Sequence, residues 1–268
     1  MKPLRIGMIA LAAISLHATA HETWLLPSSV SPAAGDSIRF YMTSGMSFPA
    51  NGSAITIDRI VEQGLSAASS EGELRPAAEG GEGALALTGE VAGGLNCAFV
   101  RLNPRILQID TDEAVQHYLD EIGAPEEVYE QWDRMRSKEV WRESYSKLAR
   151  TYVQAAGEAL GGSCLGATSE GRFEIQPLSD PTTLDVNGEL TVQVFFDDKP
   201  LAGQAIGIVR EGDAPRALAR SDESGQVSLT VNGWGRYLVY ATHLRPAVGD
   251  DFNWESDFAT FTFYVRKP

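Results

Sequence analysis

Short runs in which every second residue is apolar constrain this chain more than any other feature. Phe258 to Val265 reads Phe-Ala-Thr-Phe-Thr-Phe-Tyr-Val, and Gly188 to Phe196 reads Gly-Glu-Leu-Thr-Val-Gln-Val-Phe-Phe. Side chains alternate across an extended strand, so this period puts one face in a core and one outward. Ala205 to Val209, Ser221 to Val231 and Gly235 to His243 continue the series, with Asp197-Asp198-Lys199-Pro200 and Asp222-Glu223-Ser224-Gly225 between them as turns. Strands at this spacing predict an immunoglobulin-like β-sandwich over residues 173–268. The Asp222 run lacks the spacing of an EF-hand loop and reads as a turn.

The N-terminal half repeats the pattern in Ser37 to Thr43, Ile55 to Val61, Ala84 to Thr88 and Ala98 to Leu102. Glu71 to Gly83 is rich in Glu, Ala and Gly and reads as a mobile loop. The region 111–161 changes character. Asp110, with Glu113 three residues on, predicts a helix start, and Pro125 fits the first turn of a second helix. Trp141, Tyr145, Leu148, Tyr152, Ala155 and Ala159 recur three and four apart, which predicts a helical face ended by Gly161-Gly162. The expectation is mostly β: two sandwich domains, 21–172 and 173–268, with a helical segment at 111–161.

The first twenty residues stand outside that fold. Lys2 and Arg5 precede an apolar run, Ile6 to Leu16, and Ala18-Thr19-Ala20 has the form of a cleavage site. This is a secretory signal peptide, cut after Ala20 to leave His21 first, and a bacterial periplasm is the expected compartment. No stretch reaches the roughly 18 apolar residues of a membrane span. Two cysteines, Cys97 and Cys164, then favour one disulfide over two free thiols. A net charge of −14 argues against nucleic acid and anionic membranes and is compatible with metal cations, although solubility alone also explains it.

Hydrolase, P-loop, zincin and dinucleotide motifs are missing. His21 is the candidate for chemistry. As a new N-terminus it would offer an α-amine and an imidazole to one metal, and a second imidazole would complete a histidine brace suited to Cu(II) or Ni(II). The plain alternative is that His21 is only the residue cleavage leaves. His243, at the end of a predicted strand, is the partner of choice; otherwise it is a hydrogen-bonded histidine at a sheet edge. His117 sits on the predicted helix, away from Val115, Leu119 and Ile122, and is expected to face solvent or to border the helix packing. Glu255 and Asp257 share a face if extended, and either could ligate or orient an imidazole; otherwise they belong to a polar loop.

The opening His21-Glu22-Thr23-Trp24-Leu25-Leu26-Pro27, the segment Trp141 to Lys147, and the closing His243-Leu244 with Trp254-Glu255-Ser256-Asp257-Phe258-Ala259-Thr260-Phe261-Thr262-Phe263 resemble a bacterial periplasmic family. Its members carry a domain-of-unknown-function label or are described as periplasmic components of nickel/cobalt ABC-type uptake systems. The resemblance implies two β-sandwiches and transition-metal handling (nickel, cobalt or copper), with a membrane metal transporter as partner and His21 and His243 as ligands. The competing readings are a non-catalytic interaction module of the carboxypeptidase-regulatory-like kind, and a histidine-brace copper enzyme acting oxidatively on polysaccharide.

Overall fold

The computed structural model describes residues 22–67, 70–77, 82–158, 164–166, 172–214, 218–249 and 251–267. The signal segment and His21 lie outside the described residues. The first half forms β1 (Glu22–Pro27), β2 (Ser37–Gly45), β3 (Ser53–Ala54), β4 (Ile60–Ala67), β5 (Ser70–Gly72), β6 (Arg75–Pro76), β7 (Leu85–Glu90) and β8 (Gly94–Ile109). Then come helices α1 (Asp112–Ile122) and α2 (Glu126–Met135), and β9 (Trp141–Ala155). The second half adds β10 (Phe173–Pro177), β11 (Glu189–Phe196), β12 (Lys199–Pro200), β13 (Ala205–Arg210), β14 (Ala219–Arg220), β15 (Gln226–Thr230), β16 (Gly235–Pro246) and β17 (Trp254–Val265).

The protein is mostly β, and its sheets stack in three layers. The middle layer is an eight-stranded sheet in the order β14-β13-β16-β17-β9-β8-β4-β5. Every pairing in it is antiparallel except β17 with β9, which runs parallel from Trp254↔Glu143 to Thr262↔Thr151. That pairing joins the two expected sandwiches through one sheet, and the boundary at 172/173 falls between β9 of that sheet and β10 of the four-stranded one. On one face lies a four-stranded sheet of β10, β11, β12 and β15, whose Ile175, Leu190, Val192 and Val194 pack with Val239, Ala241, Phe261 and Phe263. On the other lies a five-stranded sheet of β1, β2, β3, β6 and β7, whose Phe40, Met42 and Leu87 meet Val100, Ala149 and Val153. There β1 crosses the middle sheet, and the hydroxyls of Thr260 and Thr262 donate to the Thr23 and Leu25 carbonyls at 2.5 and 2.6 Å.

The helices cover the rest of that second face. Leu119, Val128 and Trp132 pack on Trp141 and Trp254, whose rings stack at 4.7 Å. The cap of α1 is Thr111 rather than Asp110; its hydroxyl accepts from the Ala114 amide. Asp110 stands one residue too early to reach that amide. Pro125 precedes α2 as the N-cap, and His117 is exposed as expected.

The third predicted helix is a strand. Trp141 to Ala155 is β9, and Ala159 lies outside the described residues. Its three- and four-residue spacing misleads because the strand is covered on both faces. Trp141, Glu143, Lys147, Ala149, Thr151 and Val153 are buried on one side, and Leu148, Arg150 and Tyr152 on the other. A doubly buried strand has no dry and wet side, so period two vanishes from its sequence. Three of its charged residues are inside. Glu143 accepts hydrogen bonds from the Tyr118 hydroxyl (2.8 Å), the Trp141 indole (2.9 Å) and the Ser256 hydroxyl. Burial holds its carboxyl above the usual range. The expected loop after Glu71 also carries structure: β6 pairs with β7, and Leu74 is fully buried beside it. Its residues 78–81 lie outside the described set.

Cys97 and Cys164 form the disulfide, 67 residues apart. Cys97 is on the middle sheet, and both cysteines belong to the core between that sheet and the four-stranded one. Closing a loop of that length removes enough unfolded-chain entropy to stabilise by about 4 kcal/mol. The double variant Cys97→Ser/Cys164→Ser is expected to lose about 2–5 kcal/mol in urea unfolding, with a native circular dichroism spectrum before the transition.

Candidate functional site

Two places in the fold gather chemistry, and the middle sheet separates them. The first surrounds His243. β16 points Tyr237, Val239, Ala241 and His243 toward the four-stranded sheet, and the His243 ring lies between Phe173 (5.6 Å) and Phe196 (4.5 Å). Gln204 donates its amide to the carbonyls of Ala205 (3.0 Å) and Thr242 (2.9 Å), which turns its Oε1 toward His243 Nδ1 at 3.2 Å. An oxygen can only accept, so Nδ1 carries the proton. Asp257 is directly across from His243 on β17. Its carboxylate is taken by Arg245 (2.6 Å) and the Ser146 hydroxyl. Glu255 also pairs with Arg245, at 2.9 Å, with Arg172 3.8 Å away. Both guanidiniums lie over the Phe196 ring that packs against His243.

The structure thus brings His243, Glu255 and Asp257 together, but around Arg245. Burial first, and then Arg245, push the imidazole down to about 4. A cation placed here would meet two arginines, and both carboxylates are already ion-paired.

The second place is a cleft of about 780 Å³ on the opposite face, where β1, the loop after β2, the end of α1 and the β13–β16 edge converge. Glu22 and Trp24 line it from β1, Met46 and Phe48 from the loop, Asp120 and Glu121 from α1, and Leu238 and Tyr240 from β16. Among the described residues lining it there are four carboxylates and no Lys, Arg or His. Trp24 and Phe48 meet edge to face at 5.6 Å. Glu22 has a buried Oε2 without a hydrogen-bond partner, and so does the indole Nε1 of Trp24. Burial pushes the Glu22 carboxyl up, with Lys147 opposing and Glu121 adding to it. Burial pushes the Lys147 ammonium down; it lies over the rings of Tyr145 and Phe258 at 5.5 and 5.0 Å. The Tyr240 phenol rises to about 12 through burial and the nearby carboxylates of Glu22 and Glu121.

Strand parity separates the two places. Tyr240 and His243 are three apart on β16, so one faces the cleft and the other the opposite layer. Glu22, the first described residue, lines the cleft, on the opposite face of the sheet from His243. His21 itself lies outside the described residues. Sequence reasoning passed over Glu22, Asp120 and Glu121. Only Glu22 carried a signal: it directly follows the expected cleavage product.

The architecture defines a two-sandwich β protein with a helical hairpin and an acidic, aromatic cleft at the junction. The chain belongs to the family defined by a domain of unknown function, DUF4198, whose model matches residues 18–245. No curated protein matches the sequence. Among solved structures it is similar to the D0-D1 domain of intimin, at 15% identity over 91% of this chain and 98% of that one, with a TM-score of 0.23. It is similar to FdeC, an Escherichia coli adhesin, at 14% identity over 93% and 66%, with a TM-score of 0.25. A DUF4785 family protein from Legionella pneumophila matches at 10% identity over 80% and 50%, with a TM-score of 0.22. Similarities this loose carry no functional argument.

The His243 environment makes a pH prediction. An imidazole at about 4 in the fold, against its usual 6.5, binds its proton less readily folded than unfolded. The stability it lends is full above pH about 6.5, declines as the pH falls, and is gone below about 4. It amounts to roughly 2–3 kcal/mol. His243→Phe keeps an aromatic ring in the slot and should remove this part of the slope. Melting temperatures of the two proteins should converge or cross between pH 7 and 4; parallel curves would contradict the assignment.

Proposed function

We propose that the protein is exported to the periplasm, cut after Ala20, and binds a divalent transition metal (nickel, cobalt or copper) through its new N-terminus, for uptake or delivery. The observation that carries this reading is Glu22: a buried carboxylate oxygen without a partner, in an acidic cleft, one residue beyond the expected cleavage site. The His21 α-amine and imidazole supply two nitrogens, and a carboxylate is a fitting third donor for a tetragonal ion. The negative field of the cleft favours a cation over an anion. Among the described residues, no three His, Cys, Asp or Glu are grouped to hold a metal, so this set needs His21. His243, Glu255 and Asp257 stay outside it, because Arg245 and Arg172 neutralise that cluster. A membrane metal transporter is the partner this role requires.

A second reading, an interaction module without metal, draws on the β4–β8 end of the middle sheet. There Val61 and Ile106 are about half exposed, at 52% and 50%. One experiment separates the two readings. Mature protein, verified by intact mass to begin at His21, is titrated with Cu(II) and Ni(II) beside a sample carrying one extra residue before His21. The metal reading expects one-to-one binding that weakens at least about tenfold in the extended sample, since the chelating amine has moved. Equal or negligible binding in both would leave the interaction module.

A further inference from the structure

The cleft is far larger than one metal ion requires, and its walls are of two kinds. One is aromatic, made by Trp24, Phe48 and Tyr240; the other is the carboxylate edge of Glu22, Asp120 and Glu121. Its volume of about 780 Å³ is in the range of small-molecule sites. Ring faces attract cations through their quadrupoles, and the Asp120 and Glu121 carboxylates add a longer-range pull; together they favour an organic cation over a neutral or anionic ligand. Trp24 and Glu22 sharpen the ligand's description. One holds a buried donor and the other a buried acceptor, neither with a partner, and both line the cleft. Such groups are costly to leave unmade. A ligand that donates to Glu22 and accepts from the Trp24 indole would satisfy both.

We propose that this cleft binds a small organic cation, a guanidinium or alkylammonium compound that also carries a carbonyl or hydroxyl acceptor. The site stands on the cleft's walls and does not rest on the metal reading. Mature protein is titrated calorimetrically, with excess EDTA present, against N-acetyl-arginine amide and its uncharged isostere N-acetyl-citrulline amide. The expected result is saturable one-to-one binding of the arginine compound, at least about tenfold tighter than the citrulline compound and weakened by salt. Phe48→Ala and Glu121→Gln, each verified as folded by circular dichroism, should weaken it roughly 3- to 30-fold. Val248→Ala, at a fully exposed position (97%) outside the cleft, should leave it unchanged. Equal affinity for the two compounds, or no saturable heat at millimolar concentration, would overturn the proposal. Because EDTA removes free metal, failure here leaves the N-terminal metal reading intact, and failure of that reading leaves this one standing.

Discussion

The parallel pairing of β17 with β9 is the interaction on which the rest depends. It inserts a strand from the first half of the chain beside one from the last, so each sandwich needs the other's sheet to complete its core. β9 then lies in the middle of the middle layer. From Lys147 to Val153 both its faces are buried, and the polar groups there and at Glu143 need partners inside. Glu143 has three donors. Arg150 pairs with Glu174 of β10 at 3.0 Å, both side chains about 4% exposed, which ties the middle sheet to the four-stranded one. Such a pair adds little net stability over a well-packed apolar pair, but breaking it strands a buried charge. It therefore acts more on register and layer packing than on overall stability.

A shared sheet also partitions the chemistry. Residues that look adjacent in sequence, such as Tyr240 and His243, serve different layers because a strand alternates. One layer holds an arginine-centred ion cluster that stacks on Phe196, beside a His243 imidazole lowered first by burial and then by Arg245. The other holds an acidic cleft in which burial first, and then Glu121, raises the Glu22 carboxyl. Burial disfavours charge on both sides of the sheet: it lowers His243 on one, and on the other it lowers Lys147 and raises Glu22.

Much of the fold was legible. Strands with one wet face, such as β2 and β11, announce themselves by alternation, and α1 and α2 by capping and Pro125; β17 alternates too, but its Thr260 and Thr262 face β1 rather than water. β9 was not, because burial on both sides erased the signal and left a spacing that imitates a helix. The candidate sites divide in the same way. His243, Glu255 and Asp257 are close, as their residue types invited one to expect, but Arg245, which decides what they can do, drew no attention. Asp120 and Glu121 sit at the end of a helix, where acidic residues are ordinary; only the approach of β1 and β16 makes them part of a cleft.

The sequence by itself determined local things: which segments are strands with an exposed face, where the two helices begin, that two cysteines were available to pair, and that cleavage after Ala20 would leave a histidine first. These follow from period, capping and composition, which act within a few residues. The tertiary structure decided that two sandwiches share one sheet, that β9 is a strand, and that Glu22 and His243 stand on opposite faces. Each of these depends on contacts between residues far apart in the chain, such as Ala155 with Gly94, Trp254 with Glu143 and Thr260 with Thr23, and no local pattern records the partner that a strand or a charge will meet.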